Sequence, residues 1–182
     1  MKNLGTQRLE TKNLILRKLE IEDYKGAFKN WCNDPEVTKY VTWEPHKSEE
    51  VTKELYETWI KEYNNPNTYK WIVIEKESNE PIGTISVVRF YQEDLSAEIG
   101  YCYGKNWWGK GYATEALTKV IDYLLNDIGL EKVVARHLVS NPASGKVMEK
   151  SGMKYSRLLH NCHINKNGEI EDIKYYTKLK KQ

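Results

Sequence analysis

The chain has 182 residues, 40% of them apolar and 30% charged, with a formal net charge of +2. That length suits one domain (1–182) with a full hydrophobic core. Scattered lysines without a basic, aromatic-interleaved run argue against nucleic acid, and no apolar stretch nears the ~18 residues of a membrane span.

The opening MKNLGTQRLE does not read as a secretory leader. Cys32, Cys102 and Cys162 are too few and too far apart for a disulfide framework, so a cytoplasmic setting is expected. The 13 Tyr and 6 Trp against 2 Phe suit either a cleft lining or half-buried strand positions.

Residues 13–20 (NLILRKLE) read as a short strand. Residues 21–33 start acidic and place Tyr24, Ala27, Phe28 and Trp31 at helical spacing, until Asn-Asp-Pro stops them. Ser48 is expected to cap a second helix carrying Val51, Leu55, Trp59 and Ile60, which ends at Asn-Asn-Pro. Three β-branched and aromatic runs follow, 68–75, 82–91 and 96–103, joined by short turns as antiparallel strands. Beyond a glycine loop, Ala113, Ala116, Leu117, Val120, Ile121, Leu124 and Ile128 mark one helical face. A strand at 132–139, a short helix at 142–151 and a hairpin of 154–164 with 169–179 complete the chain. A strand–helix–strand unit thus lies inside an otherwise antiparallel sheet. The expected class is α+β with a mixed sheet and flanking helices.

The loop itself reads NWWGKGYAT (106–114). Gly104-Lys-Asn-Trp-Trp-Gly109-Lys110 approaches the phosphate-binding pattern G-x-x-x-x-G-K. However, Gly111 stands where a magnesium-binding hydroxyl is required, and two tryptophans would crowd the phosphates. A dinucleotide fingerprint fails at Thr114 and does not suit antiparallel strands. A third reading needs only bare amides at a helix N-terminus, where the backbone of 109–114 meets a pyrophosphate. In a fourth, the glycine turn simply precedes a helix and binds nothing.

Here the sequence resembles the GNAT superfamily of N-acetyltransferases, whose loop Q/R-x-x-G-x-G/A cradles the pyrophosphate of acetyl-CoA. Asn106-Trp-Trp-Gly109-Lys-Gly111 matches except that Asn replaces Gln or Arg. AEIGYCY, WGKGYATEAL, SNPASGKVMEKSGMKY and EDIKYYTK, in that order, are similar to the branch that acetylates ribosomal-protein N-termini (the RimJ/RimL type).

The resemblance implies acetyl-CoA as co-substrate, no metal, and direct transfer to an amine. It implies a splayed parallel strand pair, with the backbone of Tyr101, Cys102 and Tyr103 along the pantetheine arm. It further implies pyrophosphate binding by Trp108, Gly109, Lys110, Gly111, Tyr112, Ala113 and Thr114. Asn141 and Ser144 would then meet the pantetheine and sulfur, and Lys146 a phosphate of the cofactor.

Many members carry a tyrosine acid seven residues past that Asn. Met148 stands there, so Ser144 is the expected proton donor or thiolate partner. Glu98 is the candidate base, with a cross-strand structural role as its competitor and His137 and Asp172 behind it. A covalent route through Cys102 lacks a base nearby in sequence. His160, Cys162 and His163 suggest a metal, yet strand alternation sends the two histidines to opposite faces.

Trp31, Tyr40, Trp43 and Glu44 suggest an aromatic, mildly acidic amine cleft, or else core or dimer contacts. The resemblance favours a protein N-terminal α-amine as acceptor. A small-molecule amine and a CoA-binding regulatory module without turnover stand as alternatives. A homodimer is the one further partner considered.

Overall fold

The computed structural model describes residues 1–181. Eight strands form one sheet: β1 (Leu9–Glu10), β2 (Leu14–Arg17), β3 (Lys70–Glu75), β4 (Pro81–Tyr91), β5 (Ser96–Tyr103), β6 (Lys132–Leu138), β7 (Lys154–Ile164) and β8 (Ile170–Leu179). Their order is β1-β2-β3-β4-β5-β6-β8-β7. Every neighbouring pair is antiparallel except β5 with β6. Five α-helices flank the sheet: α1 (Asp23–Ala27), α2 (Pro35–Thr38), α3 (Glu49–Glu62), α4 (Tyr112–Asp122) and α5 (Pro142–Lys150). The α+β class with one parallel pair is therefore as expected.

The helix expected over 21–33 is shorter and less regular. It is α-helical only to Ala27, then widens into a π turn over Phe28–Cys32. The wider turn buries three successive side chains, Asn30, Trp31 and Cys32, more than one face of a 3.6-residue helix allows. A second π turn, Tyr123–Ile128, does the same for Tyr123, Leu124 and Leu125. The Asn-Asp-Pro that stops the first helix also starts α2, because the Asp34 carboxylate accepts from the Glu36 amide and Pro35 sits in the first turn. Ser48 does precede α3, but its side chain makes no capping bond.

Two hydrophobic clusters sandwich the sheet. On one face Leu117, Val120, Ile121 and Leu124 from α4 and its extension pack on Leu16, Trp71, Ile85, Ile99 and Val133. On the other, Ala27, Trp31 and Tyr56 from the first helices cover Ile72 and Ile74. Alternation along β5 follows the period of two: Ile99 and Tyr103 join the α4 cluster, and Cys102 the opposite one.

Two irregularities shape the middle of the sheet. The β4–β5 register shifts between Val87 and Arg89, opposite Ile99 and Glu98, which bends the strand locally. The parallel pairing of β5 and β6 joins Ser96–Ile99 to Lys132–Ala135 and goes no further. Yet β5 continues to Tyr103 and β6 to Leu138. Past Ile99 and Ala135 the two strands separate and leave a wedge between them.

Candidate active site

β5 leads into the glycine loop. Both tryptophans there are tied to the scaffold by their indole nitrogens. The Trp107 indole Nε1 donates to Glu75 Oε2 at 2.9 Å, and Trp108 Nε1 to the Tyr103 carbonyl at 2.8 Å. Burial alone would raise the Glu75 carboxyl. Hydrogen bonds from Ser78, Trp107 and Tyr112 outweigh it and hold the group below the usual range.

With its flanks tied down, the loop presents Gly109 at φ +75° and Gly111 at φ +85°. A Cβ at either position would meet no protein atom within 4 Å. Only glycine adopts this backbone without strain, and the space beside it is open. Gly111 begins α4 with no capping side chain. The acid of the first turn, Glu115, is turned onto Asn13, accepting from its amide at 2.8 Å and its side chain at 2.9 Å. The first-turn amides of Tyr112, Ala113 and Thr114 are thus left to an external acceptor at the positive end of an 11-residue helix. These residues fit a pyrophosphate. Lys110 is exposed beside them.

The wedge is closed on the α5 side by a contact invisible in the sequence. The Tyr101 hydroxyl lies 2.9 Å from Ser144 Oγ and donates to the Ser144 carbonyl at 3.1 Å. Burial pushes the Tyr101 hydroxyl up to about 12, so it stays protonated. Asn141 caps α5, its Oδ1 accepting from the Ser144 amide at 3.3 Å. Met148 is buried among the α4 contacts, and Lys146 is exposed on the outer face of α5. His137 packs under α5 so closely that a Cβ on Gly145 would sit 2.6 Å from its Nε2. Its Nδ1 lies 2.7 Å from the Leu138 carbonyl, and burial lowers its pKa.

Glu98 is 4% exposed with both oxygens engaged. Oε1 is 2.8 Å from Arg136 Nε, and Oε2 accepts from the Tyr91 hydroxyl at 2.9 Å. Asp172 is paired with His160 at 2.9 Å, away from the wedge. The Cys102 thiol is pushed up to about 12 by burial, unfavourable for a nucleophile. The β7–β8 pairing shifts between Leu159 and His163, with Asn161 at φ +51°. His163 lines a pocket beside β6, whereas His160 is turned onto Asp172, so the two point different ways. Among the described residues no group of three or more His, Cys, Asp or Glu is placed to hold a metal ion.

Past Ala135, β6 also faces a compact pocket of about 140 Å³. Arg136 and Leu138 form one wall, Lys39–Thr42 after α2 another, and His163, Asn165 and Lys166 of the hairpin tip a third. The tip is pinned: Lys166 Nζ donates to the Thr38 carbonyl at 2.9 Å and to that of Trp43. Tyr40 lines this pocket, but Trp31 is core at 2% exposed, and Glu44 points outward to Lys166 at 3.4 Å. The expected acidic cleft is thus lined by cations instead. A more open hollow of about 500 Å³ between α3 and strands β3 and β4 has no residue of β5, β6 or α5 in its lining.

The family model described as an acetyltransferase (GNAT) domain matches residues 13–154. The chain is 32% identical over 176 residues to the uncharacterized N-acetyltransferase p20 of Bacillus licheniformis, covering 97% of this chain and 98% of that one. A GNAT-family acetyltransferase from Bacillus anthracis superimposes with a TM-score of 0.83 at 26% identity, covering 97% of this chain and all of that chain.

Two more distant structures share the fold. The ribosomal-protein-S5-alanine acetyltransferase of Vibrio fischeri has a TM-score of 0.81 at 19% identity, covering 97% of this chain and 98% of that one. The spermidine N-acetyltransferase of Vibrio cholerae, in complex with CoA and spermine, has 0.78 at 24%, covering 93% and 97%. Glycine loop, strand wedge and whole-length similarity agree: this chain belongs to the GNAT family and is an acetyl-CoA-dependent N-acetyltransferase.

Proposed function

We propose that the chain transfers an acetyl group directly to a primary amine held in the pocket under the hairpin tip. The observation that carries this reading is the wedge itself. It opens beyond Ile99 and Ala135, has the Tyr101–Ser144 contact on one side, and meets the pocket at Arg136 on the other. Acetyl-CoA supplies the acyl group as a thioester.

The chain's residues do the rest. The amides of Tyr112, Ala113 and Thr114 bind the pyrophosphate, and Asn141 orders the first turn of α5. The backbone of Tyr101–Tyr103 on the open edge of β5 pairs with an extended ligand as an added strand would, and its amides polarise the carbonyl. Ser144 Oγ donates toward the leaving sulfur and takes up the proton that the attacking amine gives up, so that an amide and a neutral thiol leave, and Tyr101 orients that hydroxyl. Lys146 and Lys110 remain proposed phosphate contacts.

An α-amine has a pKa near ~8. Cations around it favour its neutral form, so the pocket's own charge does much of what a base would do. Glu98, with both oxygens occupied, is proposed as the residue that positions Arg136 rather than as the base.

A protein N-terminal α-amine is the acceptor that the sequence resemblance favours, in line with the ribosomal-protein enzymes. The small pocket and its pinned tip favour the alternative, a small-molecule amine. The test is mass spectrometry of a mixed amine and peptide pool incubated with acetyl-CoA. A one-acetyl mass increase on an amine supports the reading. Tight acetyl-CoA binding without any acetylated product would instead support a regulatory module.

A further inference from the structure

We propose that the acceptor is a small amine that carries an anionic group of its own, a carboxylate or a phosphate, and that the pocket rejects polyamines. The inference rests on the proposed function, in which this pocket holds the acceptor.

The lining contains Lys39, Arg136, His163 and Lys166 and no carboxylate. Three nearby acids are already engaged with residues of the lining, and none stands free in it. Glu98 is buried against Arg136 and Tyr91, and Glu44 points outward onto Lys166. Glu171 accepts from Ser140 and, at 2.7 Å, from Asn165, while Glu36 pairs with Lys105.

Lys166 is spent on the Thr38 and Trp43 carbonyls and on Glu44, but Arg136 and Lys39 keep unused capacity. Arg136 uses Nε for Glu98 and Nη1 for the Tyr175 hydroxyl at 3.2 Å, so its other guanidinium N–H groups have no acceptor among the described residues. A guanidinium edge with free donors is suited to planar carboxylate or phosphate recognition. Lys39 Nζ rests over the Tyr40 ring, 5.2 Å from its centroid, an arrangement that holds the ammonium at the rim without neutralising it.

Size points the same way. About 140 Å³ is below the ~300–1,000 Å³ of pockets that bury drug-sized ligands. With the tip fastened to Thr38 and Trp43, the pocket suits a compact molecule. A polyamine would bring several ammonium groups to Lys39 and the open edge of Arg136, with no carboxylate in the lining to meet them. An amine carrying an acid places that acid on Arg136 or Lys39, and the same cations favour the neutral amine needed for attack.

The experiment compares kcat/KM, at saturating acetyl-CoA, for matched probes: L-leucine against L-leucinamide, O-phosphoethanolamine against ethanolamine, and spermidine. The anionic member of at least one pair is expected to be preferred by about tenfold or more, with spermidine the poorest. The pair that responds tells carboxylate from phosphate. Lys39→Glu is expected to shrink that preference and improve spermidine, with the acetyl-CoA dissociation constant unchanged. Equal rates within both pairs, a preference for spermidine, or no turnover of any probe by protein that binds acetyl-CoA would each overturn the inference. Failure to bind acetyl-CoA would overturn the underlying reading instead.

Discussion

Tyr101 on β5 and Ser144 on α5 meet across the wedge, with the tyrosine hydroxyl 2.9 Å from the serine hydroxyl and 3.1 Å from the serine carbonyl. The strand that parts from β6 is thereby tied to the helix that follows β6, across the proposed site. A tyrosine acid is absent from the α5 position where it is usual, but a tyrosine hydroxyl still reaches that serine from the strand.

Ser144→Ala is expected to lower kcat by ~10²-fold or more, the low end of general-acid contributions. Tyr101→Phe should lower kcat less, by about tenfold, since it only misorients the serine. The two act as one unit, so the double variant should be scarcely worse than Ser144→Ala. Steady-state kinetics of the three variants checks this. Additive losses would mean the two residues act independently.

The sequence made the central scaffold legible because its signals are local. β-Branched runs, the apolar face of α4 and the glycines at 109 and 111 each announce themselves within a dozen residues. The site's polar contacts were not legible because they join residues far apart in the chain. Tyr101 with Ser144, Trp107 with Glu75 and Arg136 with Glu98 follow from sheet order and register, which no window of sequence contains. The two π turns were hidden for a different reason, since tertiary burial of adjacent apolar residues overrode the 3.6-residue period. Glu98 illustrates the limit: its strand face was readable, but not that both of its oxygens are already taken.

Glu75, itself held by the Ser78 hydroxyl, supports the loop from beneath through Trp107. Glu75→Ala is expected to raise the KM for acetyl-CoA by about tenfold while leaving kcat nearly unchanged, because preorganisation of a binding loop acts on affinity. S-acetylpantetheine, which lacks the pyrophosphate, should be used equally well by both forms. Equal losses with both substrates would show general destabilisation instead.

Glu98→Gln keeps an acceptor for Arg136 and a partner for Tyr91. Less than a tenfold fall in kcat is expected, with the acid limb of the pH profile unmoved. Loss of that limb, with a fall of ~10²-fold or more, would restore Glu98 as the general base.

Burial raises Tyr101 and Cys102 each to about 12. Both are neutral acids whose folded-state pKa lies above the unfolded value. The stability they contribute is therefore complete below the unfolded pKa and lost as pH rises through the folded one. Urea midpoints should be flat near neutrality and fall between about pH 9 and 12, since a tenfold change in proton affinity between the two states is worth about 1.4 kcal/mol. In the native state at pH 8, a thiol reagent should modify exposed Cys162 and spare Cys32 and Cys102 until unfolding.

The measurement that tests the central claim most directly is acetyl-CoA binding by calorimetry to the wild type and to Gly111→Ala. The added methyl meets no protein atom, so the variant should fold with a strain of only ~1–2 kcal/mol, yet its methyl enters the space assigned to the pyrophosphate. The prediction is firm binding by the wild type and a loss of at least ~10-fold in the variant, with S-acetylpantetheine affinity unchanged. Equal acetyl-CoA affinity in the two proteins would mean that the pyrophosphate does not lie on this loop.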